Sequence, residues 1–259
     1  MESSDRLQVV NDELRARADE RSPWLPLESN PVLFTSFSHS IGLARTWRWL
    51  DVLGLDAELL SLLPDKCAAF ILLFPCSRAR YAARREEEQR ILAQPYPTSD
   101  IARGAFFVRQ HAAFGNACGT IACMHALANV AIPQATGTPL RAFREENGER
   151  TPDERGTALH RSAALKCASD SAALAPVAQT VCPARDGEDL DHHFVAFVSV
   201  GGRVVELDGT KLCPIDHFAV RNDDSRGFVN AASRVIRDFI SHDPGSIEYS
   251  LMALCNVGD

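Results

Sequence analysis

Four residues have types and spacings that could support acyl transfer: Gln110, Cys118, His193 and Asp208. Cys118 sits where the Gly115-Asn116 break gives way to the apolar, helix-like run CGTIACMHALANV. A thiol at a helix N-terminus meets unpaired N–H groups and the positive end of the dipole, and both stabilise the nucleophilic thiolate. Taken alone, a cysteine near a helix start is more often a small core residue. Gln110 stands eight residues earlier, at the end of the hydrophobic segment GAFFVRQ.

A catalytic thiol needs a base, commonly a histidine brought close by the fold. His125 lies seven residues further along the same helix, about 10 Å away, which is too far to share a proton. His192 and His193 open HHFVAFVSV, which Gly201-Gly202 joins to RVVELDG in a hairpin pattern. With a two-residue turn, Val200 pairs with Arg203 and facing positions sum to 403. Asp208 then falls on the same sheet face as His193, diagonally within reach, whereas His192 points to the opposite face. This geometry allows an oriented catalytic base and equally a satisfied polar pair in a hairpin, since Asp-Gly after a strand is also a turn signal. His39, His111, His160, His217 and His242 have no comparable context and read as surface or structural residues.

The elements that must position these groups fit one large domain. The 259 residues are 46% hydrophobic and 24% charged, with a net charge of −7. That charge disfavours non-specific binding to nucleic acid or an anionic membrane. No run approaches 18 apolar residues and the N-terminus lacks the apolar core of a signal peptide. The eight cysteines show no paired framework and mostly lie in apolar runs such as CAAFILLF, so free buried thiols in a reduced, soluble, intracellular protein are expected. No CxxC or HxxxH spacing is present, so no metal site is expected.

Residues 1–23 read as a polar N-terminal extension and 24–259 as the globular domain. Asn30-Pro31 marks a helix start running to about Ser40. Glu58 to Leu63 reads as a short helix stopped by Pro64. CAAFILLF (67–74) reads as a buried strand, Ser77 to about Gln94 as a charged helix, and GAFFVRQ (104–110) as a second strand. Helices are expected from Cys118 to about Val130, from Pro139 to Glu146 and from Pro152 to Ser169, the last interrupted at Gly156. Residues 170–191 lose periodicity and read as a long loop. A helix from about Asp224 to His242 and a strand at 246–255 close the chain.

Several of these stretches together resemble the ubiquitin C-terminal hydrolases, thiol proteases of a papain-like fold. The likeness lies in FFVRQ…GNACGTIACMHALAN, in HHFVAFVSVGGRVVELDGTKLCPIDHF, in TWRWLDVLGLD…LLPDKCAAFILLFP and in the final SLMALC, so it spans about residues 24–255. It implies an α/β (α+β) fold with a central, mostly antiparallel sheet flanked by helices and a knotted backbone. It further implies Cys118 as nucleophile, His193 as general base and acid, Asp208 as the group orienting His193, and Gln110 as oxyanion donor. Ubiquitin would be the substrate, with its C-terminal tail in the cleft and no metal or organic cofactor. Residues 170–191 would match the family's crossover loop, which lies over the cleft and limits leaving-group size. The expected compartment is the cytoplasm, with the nucleus also open; the oligomeric state is not implied.

One departure stands out. The family carries its glutamine six residues before the cysteine, where this chain has Ala112, a residue with no side-chain donor. The FFVRQ pattern aligns on Gln110, so two extra residues within His111–Phe114 are expected to loop out. Two rival readings follow: a ubiquitin-binding protein with impaired catalysis, and a hydrolase of a ubiquitin-like modifier.

Overall fold

The computed structural model describes residues 23–93, 99–180, 182, 191–220 and 226–258. Residues 1–22 of the expected polar extension (1–23) and residues 181 and 183–190 of the expected loop (170–191) lie outside the described residues. In chain order the elements are α1 (Pro31–Ile41), β1 (Trp47–Asp51), α2 (Ala57–Leu60), β2 (Cys67–Pro75), α3 (Arg78–Leu92), α4 (Asp100–Arg103), α5 (Cys118–Asn129), α6 (Pro139–Asn147), α7 (Pro152–His160), α8 (Ala163–Ala173), β3 (His192–Val200), β4 (Arg203–Leu207), β5 (Ile215–Ala219), α9 (Gly227–Ser241) and β6 (Ser250–Asn256). The strands form one antiparallel sheet in the order β1-β6-β2-β3-β4-β5. The last strand is inserted between the first two.

Helices cover both sheet faces, so the central strands alternate between two cores rather than between core and water. Ala69 and Ile71 of β2, with Phe194, Ala196 and Val198 of β3, face the core that contains α1 and α5. Phe70, Leu72 and Phe74, with Val195 and Phe197, face the core that contains α9. This explains why β2 reads as a continuous apolar run.

Local signals set several boundaries. The Asn30 side chain accepts the Val32 N–H at 3.0 Å and Pro31 opens α1, which stops at Gly42 with φ 121°. Thr151 and Glu154 form a reciprocal capping box on α7. The hairpin has the expected register: Val200 pairs with Arg203 and Ala196 with Leu207.

Three expectations need correction. GAFFVRQ is extended but carries no sheet pairing among the described residues. Side chains of α5 stand in for a neighbouring strand. Asn129 Oδ1 accepts the Phe106 N–H at 2.7 Å and its Nδ2 donates to Phe106 O at 2.9 Å, while His125 Nε2 lies 3.0 Å from Val108 N. An apolar pattern reports burial, and here burial comes without a strand partner.

Secondly, Gly156 does not interrupt a helix. It lies within α7, where a Cβ would meet Arg109 O at 2.2 Å, so the glycine serves a close approach rather than a helix break. The break falls instead at Arg161–Ser162, where the Ser162 side chain caps α8. Thirdly, α8 continues through Ala173, so the start of the expected loop is helical. β1 and β5 are additional strands, short and only partly buried, with too little alternation to be read from sequence.

Candidate active site

Cys118 is the first residue of α5, the Ala117 before it supplies no side-chain cap, and the Gly119 backbone hydrogen-bonds the thiol. The first turn approaches β3 closely because residue 119 is glycine: a Cβ there would sit 3.1 Å from the Phe194 ring. Upstream, Trp24 N–H donates to Phe114 O at 2.9 Å and the Trp24 and Phe114 rings meet edge to face at 5.5 Å. The N-terminal segment thereby pins the turn that delivers the chain to Cys118.

His193, the second residue of β3, lies opposite Phe74 of β2, whose ring packs edge to face against it at 5.6 Å. Its Nε2 lies 2.8 Å from Asp208 Oδ1. The other ring nitrogen, Nδ1, is therefore the one available to Cys118, with which His193 is hydrogen-bonded. Asp208, 2% exposed, follows the last residue of β4. Its Oδ1 also accepts from Thr210 N at 2.9 Å and Thr210 Oγ1 at 2.7 Å. Arg84 Nη2 of α3 stands 3.0 Å from Oδ2.

Burial opposes charge on every member of this cluster, and the neighbours outweigh it. His193 is raised to about 10, against burial, by the charge and hydrogen bond of Asp208 and then by Cys118. Burial would push the Cys118 thiol up, but hydrogen bonding and charge from His193, with backbone contacts to Phe194 and Gly119, leave it lowered. Asp208 lies well below the usual carboxylate range because His193, Arg84 and Lys211 overcome its burial. The result favours a thiolate–imidazolium pair backed by a carboxylate. Cys123, five residues along the same helix, shows the contrast: burial pushes it up to about 12.

Gln110 is placed beside this cluster by its backbone, whose N–H donates to Gly209 O at 2.8 Å next to Asp208. Its Nε2 donates to Gly115 O at 3.3 Å, three residues before Cys118. Oε1 is buried with no partner among the described residues. The extra residues do not form an open loop; Ala112–Phe114 wind into one 3₁₀ turn, with buried Phe114 as its anchor. His160 Nε2 lies 3.2 Å from Ala113 O and supports the same turn.

All four candidates thus lie in one neighbourhood, and the remaining histidines lie elsewhere in the network. His125 is wholly buried under Val108, lowered to about 4 by burial. His192 points away, 3.5 Å from Glu248. His217 bonds Glu206 at 2.9 Å, and Glu206 in turn holds Lys211 at 2.6 Å. Thr210 and Arg84 were not singled out in the sequence. Thr210 had a signal, since Asp-x-Thr favours a side-chain-capped turn; Arg84 had none, because a charged helix reads as a solvated face. A cleft of about 330 Å³ opens beside the site, lined by His193, Arg84, Thr210, Lys211 and Leu212 among others. No cluster of three or more potential metal ligands occurs among the described residues. No described helix is long and apolar enough to cross a membrane.

A helix-start thiol, a histidine and a carboxylate in hydrogen-bonded series, set at the end of an antiparallel sheet, define a cysteine-type hydrolase centre. Comparison with known proteins agrees. The family model for ubiquitin carboxyl-terminal hydrolase, family 1, matches residues 24–241. A Drosophila melanogaster ubiquitin carboxyl-terminal hydrolase is 37% identical over 233 residues, covering 89% of this chain and 96% of the relative. The Rattus norvegicus ubiquitin carboxyl-terminal hydrolase isozyme L1 is 30% identical over 234 residues, covering 90% and 98%. Among solved structures, the catalytic domain of Trichinella spiralis UCH37, bound to ubiquitin vinyl methyl ester, superposes with a TM-score of 0.69 at 24% identity, covering 94% of this chain and 99% of that one. The chain belongs to the ubiquitin carboxyl-terminal hydrolase family, whose members are cysteine-type deubiquitinases.

Proposed function

We propose that this protein cleaves small adducts or short peptides from the C-terminal glycine of ubiquitin, with Cys118 as nucleophile. The Cys118 thiolate adds to the glycine carbonyl, and His193, protonated on Nδ1, delivers its proton to the leaving amine or alcohol. The acyl-enzyme is then cleared by water from which neutral His193 takes a proton. Asp208 fixes the ring so that Nδ1 faces the thiol, and it offsets the imidazolium charge. Gln110 and the backbone N–H groups at the α5 N-terminus donate to the oxyanion. The observation that carries this reading is the continuous series Cys118–His193–Asp208 at a helix start.

Turnover of a fluorogenic ubiquitin C-terminal amide tests it. Wild type is expected to hydrolyse the substrate, and Cys118→Ala to bind ubiquitin without turnover; retained hydrolysis in that variant would overturn the assignment. One observation favours a second reading, a ubiquitin-binding protein of weak activity: Gln110 Nε2 already gives one of its two N–H donors to Gly115 O, which fixes the direction of the other. Micromolar or tighter ubiquitin affinity with negligible wild-type turnover would support that alternative. Faster turnover of a ubiquitin-like modifier than of ubiquitin would redirect the substrate instead.

A further inference from the structure

The stretch SRARYAARREEEQRILAQ has the composition of a solvated helix, yet α3 does not stand free. Two of its side chains, one turn apart, reach the segment that follows β4. Arg84 Nη2 contacts Asp208 Oδ2 at 3.0 Å and also reaches the Thr210 hydroxyl. Glu87 pairs with Lys211, whose ammonium also meets the buried Glu206 at 2.6 Å. The helix therefore grips Asp208-Gly-Thr-Lys at three of its four residues.

Asp208 has two carboxylate oxygens with different neighbours. Oδ1 faces His193 Nε2 and the Thr210 donors. Oδ2 faces Arg84. A carboxylate held at only one oxygen can rotate about its Cβ–Cγ bond, a torsion with broad wells. A charged donor on the second oxygen fixes that rotation through a strong hydrogen bond.

We propose that Arg84 is a positioning residue of the reaction, holding Asp208 in the rotamer that orients His193 towards Cys118. The inference rests on the triad reading above. Arg84 touches neither the thiol nor the imidazole in this arrangement, so its effect passes through the carboxylate.

Two consequences separate positioning from mere charge. The titratable groups around His193 are Cys118 of α5, Asp208 and Lys211 after β4, Arg84, Arg85, Glu87 and Glu88 of α3, and Cys76 after β2. Loss of a nearby cation without any movement would make protonated His193 easier to keep, shifting the alkaline limb of activity to higher pH. Loss of the clamp frees Asp208 to turn from the ring, which makes the proton easier to lose and shifts that limb to lower pH. The arginine side chain is 21% exposed, so its replacement leaves no buried cavity.

The test is kcat, KM and the pH profile of ubiquitin-amide hydrolysis by Arg84→Gln and Arg84→Lys, beside Glu87→Gln and Cys118→Ala. Arg84→Gln is expected to lose about tenfold to a hundredfold in kcat, less than removal of the carboxylate itself, with KM nearly unchanged. Its alkaline limb should move to lower pH, and Arg84→Lys should recover part of the loss. Glu87→Gln, on the same helix face but not on Asp208, removes only an anion near His193, so its kcat should stay near wild type and its limb should fall by less than that of Arg84→Gln. A wild-type kcat and profile in Arg84→Gln, or a limb that moves to higher pH, overturns the inference. If Arg84→Gln does not fold, Arg84→Lys decides: its limb must fall, and a wild-type limb is contradictory. If Cys118→Ala retains hydrolysis, the triad reading itself fails; if that variant is inactive while the arginine variants behave as wild type, only the role of Arg84 fails.

Discussion

His193 and Asp208 are 15 residues apart in sequence, yet His193 Nε2 and Asp208 Oδ1 lie 2.8 Å apart. The Gly201-Gly202 turn makes this contact, because its φ values of 55° and 76° close a two-residue loop and set the register between β3 and β4. A one-residue slip would place Asp208 on the opposite face of its strand.

That contact gives Cys118 a pH profile unlike that of an ordinary thiol. The thiol is lowered and His193 is raised to about 10, so the ion pair forms at lower pH than an ordinary thiol ionises and persists up to about pH 10. Alkylation of Cys118 by iodoacetamide should begin at lower pH than that of an ordinary thiol and reach a plateau. In Asp208→Asn the alkaline limb should shift to lower pH and kcat fall by about a hundredfold or more. A profile unchanged by that substitution would contradict the pairing. The stability sign follows from the same shift. His193 binds its proton more tightly folded than unfolded, so its contribution is full below about 6.5 and is lost as pH rises through about 10.

Gln110→Ala should lower kcat by about a hundredfold to a thousandfold while leaving KM and the melting temperature close to wild type. Its Nε2 gives one N–H to Gly115 O, and the second N–H is the donor it can offer the oxyanion. Equal kcat in Gln110→Ala would place the oxyanion on backbone donors alone.

Gly156→Ala tests a longer-range dependence. A methyl at 156 would meet Arg109 O at 2.2 Å and His111 Nε2 at 2.6 Å, and the first of these is backbone that moves only with the 109–111 segment. The variant is expected to lose about 1–3 kcal/mol of stability. It should also lose activity beyond that of a surface substitution, because Gln110 rides on the displaced chain. Denaturant unfolding and kcat measured on the same preparation check both effects.

His125 should matter for folding and not for chemistry. Its imidazole stacks on Phe107 at 5.1 Å and meets the backbone of Val108. His125→Ala is expected to destabilise the fold by about 2–4 kcal/mol, through lost packing and an unpaired backbone group. The soluble remainder should keep near-normal kcat. Since burial lowers His125 to about 4, its neutral form stabilises above about 6.5, and that stabilisation falls away as pH drops towards 4. A loss of kcat with unchanged stability would reverse this assignment.

Much of the site was legible because its signals are local. Gly-Asn before an apolar run marks the Cys118 helix start, and the Gly-Gly turn sets which histidine meets Asp208. What escaped the sequence depends on docking between distant segments. GAFFVRQ has the pattern of a strand, but whether a buried extended segment pairs with a strand or with helix side chains is decided by His125 and Asn129. Gly156 looked like a helix break because nothing in its neighbourhood announces the carbonyl of Arg109 against it. Arg84 was hidden in a charge run whose inward face exists only once α3 lies against the end of β4.

The most direct measurement is labelling with ubiquitin bearing a thiol-reactive C-terminal group, followed by peptide mapping of the adduct. One ubiquitin should attach per chain, on Cys118, despite seven other cysteines in the sequence. Cys118→Ala should abolish labelling, and His193→Gln should slow it sharply. An adduct on another cysteine, or labelling that survives Cys118→Ala, would contradict the assignment of Cys118 as nucleophile.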